Sequence, residues 1–168
     1  AIRFEEAAQT LDGVSALAVS PDGLHLLATS TNSNRISVFS QDTANDNLVL
    51  IDTLTNNNGN VRGLEKVNDV IISPDGKHVY TSSSGDNAIA VFERAPGTGI
   101  LSFVQLYQDG VEGIQGLDGA TGLTINSNGN FVYVASRNDN ALVVFKRDAD
   151  TGQLTFIEVF RDGMDEVD

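Results

Sequence analysis

The chain reads as all-β, a β-propeller segment of three four-stranded antiparallel blades that forms a partial ring or half of a dimeric six-bladed ring. Three observations predict it. Ser20-Pro21-Asp22-Gly23 returns as Ser73-Pro74-Asp75-Gly76 and, altered, as Asn126-Ser127-Asn128-Gly129, a spacing of 53 residues both times. Short runs of alternating apolar residues, separated by turn residues, fill each copy. No stretch keeps a helical period long enough to compete, and four short strands per roughly 40 to 50 residues is the pattern of a propeller blade.

The elements follow in order. In the second copy Val67 to Ser73 forms a first strand, and Pro74-Asp75-Gly76 turns it, Pro fixing φ early and Gly supplying positive φ late. Lys77 to Ser83 is the second strand, Gly85-Asp86-Asn87 a hairpin, and Ala88 to Arg94 the third strand. Pro96-Gly97-Thr98-Gly99 leads into a fourth strand, Leu101 to Tyr107. The first copy places strands at 14–20, 24–30, 35–40 and 48–54, with counterparts 53 and 106 residues later. Blades at 11–54, 64–107 and 117–160 form one domain over 1–168, and residues 1–10 are expected to supply the outer strand of a further blade, because Ile2-Arg3-Phe4-Glu5 resembles Leu154-Thr155-Phe156-Ile157. Val70, Ile71 and Ile72 suit an inner strand covered on both faces.

Ten Lys and Arg against 23 Asp and Glu give a net charge of −13, which opposes binding to nucleic acid or an anionic membrane. No apolar run is long enough for a membrane span, and without Cys there is no disulfide, thiolate nucleophile or Cys-ligated zinc. Ala1 is not an initiator Met, so a processed or excised segment is expected, in an extracellular or periplasmic setting. Propellers close with about four blades or more, so three leave two open ends. Apolar patches lined by Ile36, Val38, Leu142 and Val144 are expected there, covered by the remaining blades of a longer chain or by a second copy.

Ser73 to Tyr80, Asp86 to Arg94 and Thr98 to Phe103, then Phe131 to Asp148 and Thr151 to Phe156, resemble the repeats of the lactonase-type (6-phosphogluconolactonase-like) β-propellers. The first copy keeps Ser20 to Gly23, Asn34 to Phe39 and Leu48. The resemblance implies a ring of about seven blades. It also implies a sugar-lactone or muconolactone hydrolase or cyclase with acidic, basic and imidazole groups near the central channel. No motif carries the family's catalytic residues onto positions of this chain.

His25 and His78 occupy one repeat position, which Phe131 fills in the third copy, so they read as strand positions that accept a ring. The long connections, 56–66 and 108–119, are expected on the same rim as the hairpins between second and third strands. That rim carries the catalytic candidates Arg62, Glu65 and Asp118, with Asp86, Glu112 and Asp139 nearby. Arg62 is the basic residue whose counterparts, Gln115 and Asp168, are not basic, and it suits an anionic group. Asp86, Asp139, Asp148 and Asp150 are candidate calcium ligands, since hard cations want several oxygens from a tight loop. The alternative is that Asp and Asn cap their own turns. Repeat regularity favours a binding or scaffolding segment of a larger exported protein; the resemblance favours a lactonase, and the Asp-rich turns a calcium-dependent adhesive or matrix module. No cofactor is expected apart from calcium.

Overall fold

The computed structural model describes residues 11–42 and 47–162, so the expected outer strand within 1–10 lies outside the described residues. Twelve strands fall in three blocks. The first comprises β1 (Val14–Val19), β2 (His25–Ser30), β3 (Arg35–Asp42) and β4 (Asn47–Thr55). The second holds β5 (Val67–Ile72), β6 (His78–Ser83), β7 (Ala88–Arg94) and β8 (Leu101–Gln108). The third holds β9 (Ala120–Ile125), β10 (Phe131–Ser136), β11 (Ala141–Arg147) and β12 (Leu154–Arg161). Each block is a separate four-stranded antiparallel sheet whose strands pair in chain order.

Turn chemistry sets these boundaries. In the second blade Ser73 Oγ donates to the Asp75 carboxylate, which also accepts from Lys77 N at 3.0 Å, while His78 N donates to Ser73 Oγ at 3.0 Å. Gly76 closes the turn at φ 73°, a region where a β-carbon is strained. The recurrent Val-Phe pair has its own explanation: the register between third and fourth strands shifts at Val38/Phe39, Val91/Phe92 and Val144/Phe145. Such a bulge bends and twists the outer half of each blade.

Two apolar cores lie at the joints between blades. The first joins Leu27, Ile36 and Val38 to Val67, Val70, Val79 and Phe92; the second joins Tyr80, Ile89 and Val91 to Leu117, Val132, Val143 and Phe145. Strand β7 serves both, with Ala90 and Phe92 on one face and Ile89 and Val91 on the other, which is why it is apolar without alternation.

The end faces correct part of the expectation. Ile36, Val38 and Val144 are buried, the first two because that side of β3 points at the second blade. The first blade instead exposes Val14, Leu17 and Leu48 at 48%, 62% and 54%, whereas their counterparts Val67, Val70 and Leu101 are 0%, 2% and 6% exposed. The last blade exposes Leu142, as expected, together with Ile157 and Phe160. No helix among the described residues is long and apolar enough to cross a membrane.

Candidate functional site

One rim gathers the connections and the hairpins, as the strand order requires. Asn34 and Asn87, at φ 54° and 50°, end hairpins in the left-handed region that Asn tolerates. Their side-chain oxygens reach the next blade, where Asn34 accepts from Lys66 N at 2.7 Å and Asn87 from Gly119 N at 2.9 Å. Each connection is also tied to its own blade: Asp86 Oδ2 accepts from Glu65 N at 2.8 Å, and Asp139 Oδ2 from Asp118 N at 3.1 Å. The rim is therefore a rigid frame built on backbone donors.

Within this frame Arg62 is exposed, and its guanidinium donates to Val61 O at 2.7 Å and Gly59 O at 3.1 Å of its own loop. Glu65 and Lys66, three and four residues further along the same connection, are exposed. Asp118 accepts from Asn138 Nδ2 at 3.1 Å, with exposed Arg137 next in the same hairpin. The frame thus brings Glu65 to Asp86 and Asp118 to Asp139, each acid beside the next across a backbone N–H. Charges of both signs on fixed loops can bind a polyhydroxylated, charged small molecule.

The calcium candidates occupy two ends of the blades. Asp86 and Asp139 belong to hairpins of different blades and are engaged as described, Asp139 lying 3.8 Å from Arg161 as well. Asp148 sits in the turn after β11 and accepts from Asp150 N and Thr151 N, both at 2.9 Å, and Asp150 is exposed. Among the described residues no three His, Cys, Asp or Glu side chains gather in a group able to hold a metal ion.

At the opposite end of the blades lie two residues that sequence reading passed over, Arg94 and Arg147. Both are almost wholly buried. Arg94 Nη1 donates to Gly76 O of its own blade at 2.9 Å, while Nη2 reaches Asp22 at 2.8 Å and His25 Nδ1 at 2.7 Å on the preceding one. Arg147 repeats this with Gly129 O at 3.1 Å, Asp75 at 2.7 Å and His78 Nδ1 at 2.8 Å. Each arginine thus latches two blades together. The Ser20 hydroxyl and then Arg94 hold the Asp22 carboxyl far below the carboxylate range. Burial pushes Asp75 up, but Ser73 and Arg147 outweigh it and hold that carboxyl at about 2. Burial, then the neighbouring guanidinium, keeps both imidazoles below their ordinary value.

The latch also explains the Thr-Gly signature. A β-carbon on Gly99 would stand 2.3 Å from the His25 ring, and one on Gly152 2.3 Å from the His78 ring. The histidines are structural, as their repetition suggested. The available signal for the arginines was a buried-strand position that carries Arg in two copies, 53 residues apart, and Gln41 in the first.

The model of the family described as "Lactonase, 7-bladed beta-propeller" matches residues 16–158. The 6-phosphogluconolactonase of Formosa agariphila is 35% identical over 88 residues, covering 51% of this chain and 23% of that protein. The structure of the Pseudomonas aeruginosa periplasmic gluconolactonase superposes with a TM-score of 0.71 at 28% identity, covering 88% of this chain and 39% of the other. A Lactobacillus plantarum protein gives a TM-score of 0.74 at 23% identity, with 88% and 41% covered, a likeness of fold alone. The chain therefore spans about two-fifths of these solved structures and a smaller share of the curated relative. With three sheets, a bulged repeat and a family match across most of its length, the chain belongs to the seven-bladed lactonase β-propellers.

Proposed function

We propose that this chain supplies three blades of a sugar-lactone hydrolase of the 6-phosphogluconolactonase type, acting in an exported or periplasmic setting. The family match over residues 16–158 carries the reading. The 6-phosphogluconolactonase and periplasmic gluconolactonase relatives support the substrate class and the compartment. Repeat regularity had favoured a binding or scaffolding segment. That weight falls away, because the recurrent Asp, His, Arg and Gly residues are committed to latches, leaving the irregular connections free to carry chemistry. Arg62 and Lys66 suit the anionic end of a phosphorylated sugar, and Glu65 and Asp118 suit proton transfer at the ring ester. Further blades of the ring would cover the exposed end faces and complete the channel.

The reading is tested with 6-phosphogluconolactone, whose hydrolysis is followed above its spontaneous rate. The 168 residues alone should give none, because catalysis needs the mutual geometry of several blades. A complete ring carrying these blades should turn it over and lose most of that rate on Arg62→Ala or Glu65→Gln. A complete ring without turnover, or one indifferent to both substitutions, contradicts the proposal or its residue assignment respectively.

A further inference from the structure

The latch arginines have only donors, so the ring nitrogen facing each must accept. At 2.7 Å from Arg94 and 2.8 Å from Arg147, Nδ1 of His25 and His78 therefore carries no proton, and each imidazole is neutral with its hydrogen on Nε2. For His25 the surrounding groups are Asp22 and Arg94, with the Thr98 backbone at the ring and Gly99 against its face. For His78 they are Asp75, Arg147 and Lys77, with Glu93 opposite His78 on the next strand, the Tyr80 hydroxyl on the same guanidinium, and Gly152 against the ring. A proton added at Nδ1 would remove the acceptor and set an imidazolium against a buried guanidinium.

We propose that the two latches are acid-releasable joints: proton uptake from solvent at Nδ1 of His25 and His78 frees Arg94 and Arg147 from the preceding blade, and the blades part there while each sheet stays paired. The linkage has a definite sign. Both imidazoles lie below their ordinary 6.5 in the folded chain, so the unfolded or opened chain takes up protons that the closed joint refuses. Closure is full above about pH 6.5 and weakens as pH falls below it. Asp22 and Asp75 add their own loss only at lower pH, below the ordinary carboxylate value of 3.8. The sequence holds two His in all, both in latches, so histidine titration in this chain reports on the joints alone. It also contains its own control: Asn128 and Phe131 replace the acid and the imidazole in the third blade, whose strands β10 and β11 pair with each other through residues 133–135 and 142–144 and take no bond from a latch.

The test is hydrogen exchange on the 168-residue chain from pH 7.5 to 5, corrected for intrinsic chemistry, alongside imidazole nitrogen spectra. At pH 7.5 the spectra should show both rings as neutral Nε2–H tautomers. Towards pH 5, segments 20–26 and 73–79, with their partners 94–101 and 147–154, should exchange faster by about threefold or more, while the paired amides of the third sheet at 133–135 and 142–144 stay unchanged. The double variant His25→Gln, His78→Gln keeps an acceptor and cannot titrate, so its profile should be flat. Rings that carry Nδ1–H at pH 7.5, rings that protonate with no gain in exchange, or paired third-sheet amides that respond equally would each overturn the proposal. The wild-type spectra and the third-sheet control decide it even if the double variant fails to fold.

Discussion

The two joints share one latch but differ in what surrounds it. At the second, Tyr80 lies beside Arg147, accepting from its Nε at 2.8 Å and donating to Gly152 O at 2.8 Å. At the first, the same position is Leu27 and the Nε of Arg94 is buried without a partner. Two more polar ties follow the same division. Tyr107 accepts from Leu154 N at 2.7 Å where the first joint has Leu54 and a longer bond from Leu101 N to Asp52 at 3.4 Å, and Asp69 accepts from Leu123 N at 2.9 Å where it has Ala16. The first joint relies on apolar packing, with Ser15 and Thr31 donating to Val67 O at 3.0 and 2.7 Å. A repeat thus fixes the charged element, and the varied positions around it decide how fully the buried charge is satisfied.

The sharpest break of this comparison is removal of each arginine. Arg147→Leu should destabilise the chain by about 2–4 kcal/mol, because Gly129 O, Tyr80 and His78 lose a buried donor while the Asp75 carboxylate left behind is partly solvated. Arg94→Leu should cost about 1 kcal/mol less: that guanidinium reaches both Asp22 oxygens, but its removal also relieves a buried Nε that has no partner. Equal losses in denaturant melts would erase the distinction between the joints. Gly152→Ala should follow at about 1–3 kcal/mol, because its φ of 75° is strained for alanine and the new methyl meets the His78 ring. Tyr80→Phe should cost about 1–2 kcal/mol by leaving the Nε of Arg147 and Gly152 O unpaired. Burial raises the Tyr80 hydroxyl from 10 to about 12, so that loss should not change between pH 7 and about pH 9 and should shift only as pH rises through 10.

Strands and turns were legible because their causes are local: the Pro-Asp-Gly turn and the Val-Phe bulge lie within a few residues of the strands they shape. The shared rim was legible too, since strand order alone places connections with hairpins. The latch was not, because its partners sit 69 to 72 residues apart and meet only across a joint. The side of β3 facing the second blade was misjudged for Ile36 and Val38 because a strand apolar on both faces gives no alternation to orient it. The roles proposed for Arg62, Glu65 and Asp118 depend on groups from several blades, which three repeats do not specify among themselves.

A double-mutant cycle across the second joint tests most directly whether the recurrent residues hold neighbouring blades together. Asp75→Asn and Arg147→Gln, singly and combined, should show a coupling of about 1.5–3 kcal/mol in unfolding free energy. Asp22→Asn with Arg147→Gln, which pairs residues from different latches, should be additive within about 0.5 kcal/mol. Additivity in the first pair, or equal coupling in both, would contradict the latch.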